Sequence, residues 1–203
     1  MKKILSIYII ATCFSIFSIN HAQASNLDYG YFGGGYVDAG DGLTGASLEG
    51  SIDIGETEDG LYARALGLFM SYGEDYGSVA ATGTGDILFA NVGYRWSLSD
   101  TADILLEGGY LGADITATAC GYGSCYTESD SETGYNIMAG FRSGNPDGFE
   151  FKFLLGRGDL VEAATISQLE ISYNFSEAFS FQIGSFYDGD DSSTTVGFRY
   201  YIK

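Results

Sequence analysis

From residue 28 onward, apolar residues alternate with small or polar ones in runs of about ten, and turn-forming residues separate each run from the next. The clearest run lies between Ala164 and Phe175, where Leu169, Ile171, Tyr173 and Phe175 interleave with Gln168, Glu170, Ser172 and Asn174. Strand side chains point alternately to opposite faces, so each run predicts a strand with one apolar and one polar face. The pattern places strands at residues 28–38, 43–54, 61–72, 86–96, 102–113, 133–142, 149–157, 164–175, 178–187 and 194–202. Leu48 and Ile52 oppose Glu49 and Ser51, Val92 and Tyr94 oppose Asn91 and Arg95, and Phe151 and Phe153 oppose Glu150 and Lys152. The first and third strands read ambiguously. Glycines dominate one, and in the other Leu66, Leu68 and Met70 share the face of Arg64.

The connections fall into two sets. Residues 56–60, 97–101, 143–148 and 176–177 are short, whereas the alternate connections at 39–42, 73–85, 114–132, 158–163 and 188–193 include two long loops. Short turns on one side and longer loops on the other predict an all-β, up-and-down antiparallel barrel. Ten strands is the expected number, with eight if the first hairpin or the Ser176-Glu177 turn is misread.

Alternation alone does not say which face is inside. A soluble barrel or sandwich would bury the aromatic face. Two features favour the inverse. Tyr94, Trp96, Tyr173, Phe175 and Phe179 cluster near strand ends on the apolar face, where a membrane interface would sit. The opposite face carries both signs of charge in mid-strand. Glu49, Arg64, Arg95, Asp103, Glu107, Arg142, Lys152, Glu170 and Arg199 form the expected lumenal polar network.

Composition narrows the setting. Lys2 and Lys3 precede an apolar stretch from Ile4 to Ile19, and Ala22-Gln23-Ala24 supplies a small-x-small cleavage pattern, so residues 1–24 read as a secretory signal peptide and 25–203 as one domain. The chain has nine basic and 27 acidic residues, for a formal net charge of −18, which excludes a phosphate-seeking nucleic-acid binder. Cys120 and Cys125 remain after processing. In an exported chain they predict a disulfide closing a small loop.

The last strand sharpens this picture. Thr195, Gly197, Tyr200 and Ile202 sit in a polar, glycine, then alternating aromatic and apolar ending that resembles the C-terminal assembly signal of bacterial outer-membrane β-barrels. Together with the signal peptide and repeated hairpins, the whole mature chain resembles a small, porin-like outer-membrane barrel of the OmpA and OmpX kind. That resemblance implies location in the outer membrane of a Gram-negative bacterium and delivery to the barrel-assembly machinery through the C-terminal strand. It also implies contact with lipid and lipopolysaccharide.

Catalysis finds little support. The single histidine, His21, lies in the leader, and no activated nucleophile is visible, so neither an enzyme nor a cofactor is expected. The longer connections gather Asp38, Asp41, Glu74, Asp75, Asp114, Glu128, Asp130, Glu132, Asp159, Glu162, Asp188, Asp190 and Asp191 with no Lys or Arg. Such a rim favours cations, including divalent ions bridging to lipopolysaccharide phosphates. Asp188, Asp190 and Asp191 resemble part of a calcium loop, without its full spacing or terminal glutamate. Two functions follow as expectations: a structural barrel or narrow small-solute channel with weak cation preference, or a surface adhesin acting through its acidic loops. Nothing in the sequence sets the oligomeric state.

Overall fold

The computed structural model describes residues 27, 30–54, 60–75, 77–145, 147–160, 162–189 and 191–202. The expected leader, residues 1–24, lies outside them. Ten strands follow in order: β1 Tyr31–Asp38, β2 Thr44–Ile54, β3 Gly60–Asp75, β4 Val79–Ser99, β5 Ala102–Gly121, β6 Ser124–Gly144, β7 Phe149–Asp159, β8 Ala163–Asn174, β9 Phe179–Tyr187 and β10 Ser192–Tyr201. Each pairs antiparallel with its sequence neighbours, and β1 pairs with β10, closing the barrel. Tyr31 lies opposite Tyr201 and Gly35 opposite Gly197 at this seam. Both ends of the described chain therefore lie beside the short turns.

The polarity of the closed sheet is inverted. Outward positions carry exposed Phe32, Leu48, Ile52, Val92, Ile137, Phe149, Ile171 and Phe198, while Glu49, Arg64, Glu107, Arg142, Glu150, Lys152, Glu170 and Arg199 are buried inside. An apolar exterior this continuous has no counterpart on a soluble monomer, and a closed barrel leaves no backbone group unpaired against hydrocarbon.

The height of the apolar band can be read on three adjacent strands. Its outward side chains run from Trp96 to Leu88 on β4, from Ile104 to Tyr110 on β5, and from Phe141 to Tyr135 on β6. Tyr110 and Tyr135 are paired neighbours at its upper rim. Just above, Asp86 and Asp114 face each other across β4 and β5. The band spans nine residues on β4 and seven each on β5 and β6, beside the about 9–11 residues of a tilted strand that crosses a bilayer.

The strands do not stop at that rim, which corrects the reading of residues 73–85 and 114–132 as loops. β4 and β5 stay in register from Asp86–Asp114 up to Val79–Gly121, and β5 and β6 up to Gly121–Ser124. β3 joins this upper sheet through Asp75 opposite Ala80. The greasy alternation ends at the rim because water replaces lipid there. Backbone pairing continues on small residues such as Ala81, Thr82, Ala117 and Thr118. At the tip, Tyr122 and Gly123 have φ of 52° and 84°. Two successive left-handed residues make the tight hairpin turn whose twist matches the flanking strands.

Candidate functional site: the filled lumen and the projecting sheet

The lower half of the lumen is one connected polar network. Arg64 on β3 donates from Nε to Glu49 Oε1 at 2.7 Å, from Nη1 to Glu107 Oε2 at 3.1 Å and from Nη2 to Gln168 Oε1 at 2.8 Å. β8 lies five strands from β3 in either direction, so the Arg64–Gln168 bond crosses the full width of the barrel. Arg199 Nη2 donates to Glu170 Oε1 at 2.7 Å and to Glu49 Oε2 at 3.1 Å, and its guanidinium lies 3.9 Å from the Tyr31 ring centroid. Arg142 donates to Glu150 at 2.8 Å, and Lys152 Nζ stands 3.7 Å from Glu49 and 3.8 Å from Glu170. Four buried acids, Glu49, Glu107, Glu150 and Glu170, thus meet four buried bases, Arg64, Arg142, Lys152 and Arg199. Pairing with an opposite charge offsets the cost of taking charges this deep out of water.

Neutral side chains complete the network. The Tyr31 hydroxyl donates to Glu49 and the Tyr62 hydroxyl to Glu107, each at 2.8 Å. Asn91 donates to Glu107 at 3.2 Å, and Asn136 to Asn91 at 2.9 Å. Tyr62 reaches Glu107 by lying across Gly93, where a Cβ would overlap its ring. Asp103 is buried and lies opposite Arg142 on the neighbouring strand. Arg95 pairs with Asp53 at 3.2 Å and reaches the Leu27 carbonyl at 3.5 Å, near the mouth beside the termini.

Above the network the lumen turns apolar. Val37, Leu66, Leu68, Met70, Phe89, Leu111, Leu154, Ile166 and Phe186 are buried together, with Ala39, Leu43, Ile87 and Leu160 against them. Phe89 on β4 and Phe186 on β9 meet edge to face with centroids 5.1 Å apart. Those two strands are also diametrically opposed, so the ring pair bars the lumen a second time. The cavity lined by Tyr31, Ser51, Arg64, Glu107, Lys152 and Arg199 leaves about 10 Å³ for the centre of a water molecule, room for about one.

All nine charged residues expected in the lumen lie at inward positions, and the sheet brings Glu49, Arg64, Glu107, Arg142, Lys152, Glu170 and Arg199 into direct ion pairs with one another or with Glu150. Tyr31, Tyr62, Asn91, Asn136, Glu150 and Gln168 are network members that the charge pattern alone did not single out. Counting in steps of two from Arg64 finds Tyr62 and the apolar trio above it.

The projecting sheet is the second candidate. On one face it carries rows of hydroxyls: Thr82, Thr118 and Thr127 in one row, Thr84, Thr116 and Ser129 in the next. Thr118 and Thr127 are 2.9 Å apart, Thr116 and Ser129 3.1 Å. Cys120 and Cys125, directly opposite each other, form a disulfide below the tip. Tyr122 and Tyr126 stand 91% and 68% exposed. On the far side of the mouth, Asp188 accepts from the Asp191 N–H at 3.1 Å, closing the β9–β10 turn. Asp190 lies outside the described residues, among which no cluster of three or more His, Cys, Asp or Glu could hold a metal ion.

No protein-family model matches the chain, and no curated protein sequence matches it. Several solved structures resemble the chain at low identity. The KdgM porin is 11% identical over 85% of this chain and 99% of its own, with a TM-score of 0.41. Ail, the attachment invasion locus protein of Yersinia pestis, is 14% identical over 85% and 97%, with a TM-score of 0.45. The translocator domain of the autotransporter NalP from Neisseria meningitidis is 13% identical over 99% and 96%, with a TM-score of 0.47. Closure, a continuous apolar outer band and an ionic interior fix the architecture independently of those likenesses: the chain is a ten-stranded antiparallel barrel of the membrane-spanning kind.

Proposed function

We propose that this protein is a surface-binding barrel: ten strands anchor it in the outer membrane, and the sheet formed by the upper parts of β3 to β6 meets a partner outside. It acts by binding and not by catalysis. The observation that carries this reading is the contrast between a lumen barred by both the Arg64–Gln168 bond and the Phe89–Phe186 pair, and a sheet that continues well past the membrane rim. Replacing residues 115–130 by Asn-Gly keeps Asp114 beside Ser131 and removes the hairpin. Cells expressing that variant should lose attachment to host cells or matrix while the purified protein keeps its heat-modifiable mobility in SDS. Unchanged attachment would count against the proposal.

A narrow channel with weak cation preference is the second reading, favoured by the acidic mouth that Asp38, Asp41, Asp188 and Asp191 contribute beside the longer connections. It requires both crossbars to part. Single-channel steps from the purified chain in planar bilayers, with cations passing faster than anions, would select it over surface binding. Divalent cations bridging Asp86 and Asp114 to lipopolysaccharide phosphates fit the same surface, since two carboxylates held face to face gain from a shared ion. β10, which closes the barrel against β1, is the segment proposed to engage the assembly machinery.

A further inference from the structure

β6 is paired on one side only above the membrane. β7 joins it from Tyr135, opposite Asp159, downward, whereas β5 stays with it up to Ser124. Residues 124–133 therefore form a sheet edge roughly 30 Å long. The opposite edge of the same sheet is short, because β2 follows β3 as far as Ser71 and leaves residues 72–75. The parity of the long edge is fixed. Gly144 donates to Thr101 across the β5 side and Asn145 to Phe149 across the β7 side. Cys120 and Cys125, with Cα atoms 4.1 Å apart, have the separation of a non-hydrogen-bonded pair. Odd-numbered residues of β6 consequently direct their N–H and C=O groups away from β5. Ser131 N–H is taken by Asp130 Oδ1 at 2.9 Å, which leaves Cys125, Thr127, Ser129 and Thr133 as outward donors among the described residues.

We infer that this edge binds an extended, cationic polypeptide segment as an additional β-strand, an assignment that rests on the surface-binding reading. Ladder geometry supplies the backbone contacts, and side-chain chemistry selects the guest. Glu128, Asp130 and Glu132 share one face of the edge, and Thr127 and Ser129 share the other. No Lys or Arg occurs in β6 above Arg142. An added strand sets its own side chains beside these in two rows. Lys or Arg on one row meets the carboxylates, and Thr or Ser on the other extends the hydroxyl rows. A second copy of the chain is the wrong guest, because antiparallel pairing of two such edges would stack carboxylate against carboxylate.

The test is a blocked ten-residue peptide alternating Lys and Thr, titrated at low salt into the full chain refolded in detergent. Saturable binding is expected, with slowed amide exchange at Cys125, Thr127, Ser129 and Thr133. Binding should weaken roughly tenfold or more when alternate peptide amides are N-methylated, or in Thr127→Pro. That proline removes an outward donor and leaves the β5 ladder intact, and retained heat-modifiable mobility checks the fold. Four results would each overturn the inference: no saturable binding up to millimolar peptide; equal binding of the N-methylated peptide, which leaves charge attraction alone; equal binding of an alternating Glu-Thr peptide; or a dimer of the chain that Thr127→Pro dissolves. None of these touches the surface-binding reading, which falls only if replacing residues 115–130 leaves attachment unchanged.

Discussion

The membrane band and the projecting sheet are built from the same strands, β4, β5 and β6, yet they solve opposite problems. Within the band, outward Leu88, Val92, Ile104 and Ile137 face hydrocarbon, and inward Asn91, Glu107 and Asn136 join the lumenal network. Above it, Thr118, Thr127 and Ser129 face outward, and the inward positions become Ala81, Gly83, Ala117 and Ala119 on β4 and β5 and Glu128, Asp130 and Glu132 on β6. Lipid cannot hydrogen-bond to a strand edge, so the band must close on itself through ten partners. Water can, so the sheet above the rim stays open. Alternation by itself makes a strand, and the solvent on its outer face decides whether that strand needs a barrel.

The sharpest way to break this comparison is to attack the buried charges. Arg199 is 1% exposed and ties Glu49 to Glu170 while stacking on Tyr31. Arg199→Met leaves two buried carboxylates short of a partner and should destabilise the barrel by about 3–5 kcal/mol, read from urea unfolding in micelles. Arg199→Met combined with Glu170→Met should cost less than Arg199→Met alone, because removing both ends of an ion pair avoids the uncompensated charge. A double variant worse than the single would mean that the network is held by packing.

Next in size is the apolar layer. Leu154 is 0% exposed beneath the long connections. Leu154→Ala should cost about 2–5 kcal/mol, the range for emptying a buried leucine site. The loss should appear in the unfolding midpoint with no change in amide exchange of the upper hairpin, if the two regions are energetically separate.

How much of this was legible beforehand depended on the solvent each face meets. Strand number, closure and the inward placement of Glu49, Arg64, Glu107, Lys152, Glu170 and Arg199 follow from period-two alternation, because lipid enforces it outside and charge marks it inside. The apolar layer was hidden on β3, where Leu66, Leu68 and Met70 share a face with Arg64 and the two-solvent rule gives no answer. A lumen this narrow excludes water, so its upper half packs like a soluble core. The projecting strands were hidden for the opposite reason. Residues such as Ala80, Ala81, Thr82 and Gly83 have no greasy face to alternate, and only the register with Thr118 and Ala119 makes them strand.

The smallest expected effects belong to the sheet, and they separate it from the barrel. The Cys120–Cys125 bridge closes a short loop, for which the loop-entropy model gives about 2 kcal/mol, and that stabilisation is local to the tip. Replacing both cysteines by serine should speed amide exchange from Thr118 to Thr127 and leave the urea midpoint in place. Thr118→Val removes a hydroxyl partner of Thr127 on an exposed face, and should change global stability by less than about 0.5 kcal/mol. The near-null outcome is the informative one. If Thr118→Val, far above the rim, shifted the barrel midpoint by as much as Leu154→Ala, sheet and barrel would unfold as one unit. The open region would then be a stabilising extension of the closed one, instead of a separately folded surface that the anchor carries into water.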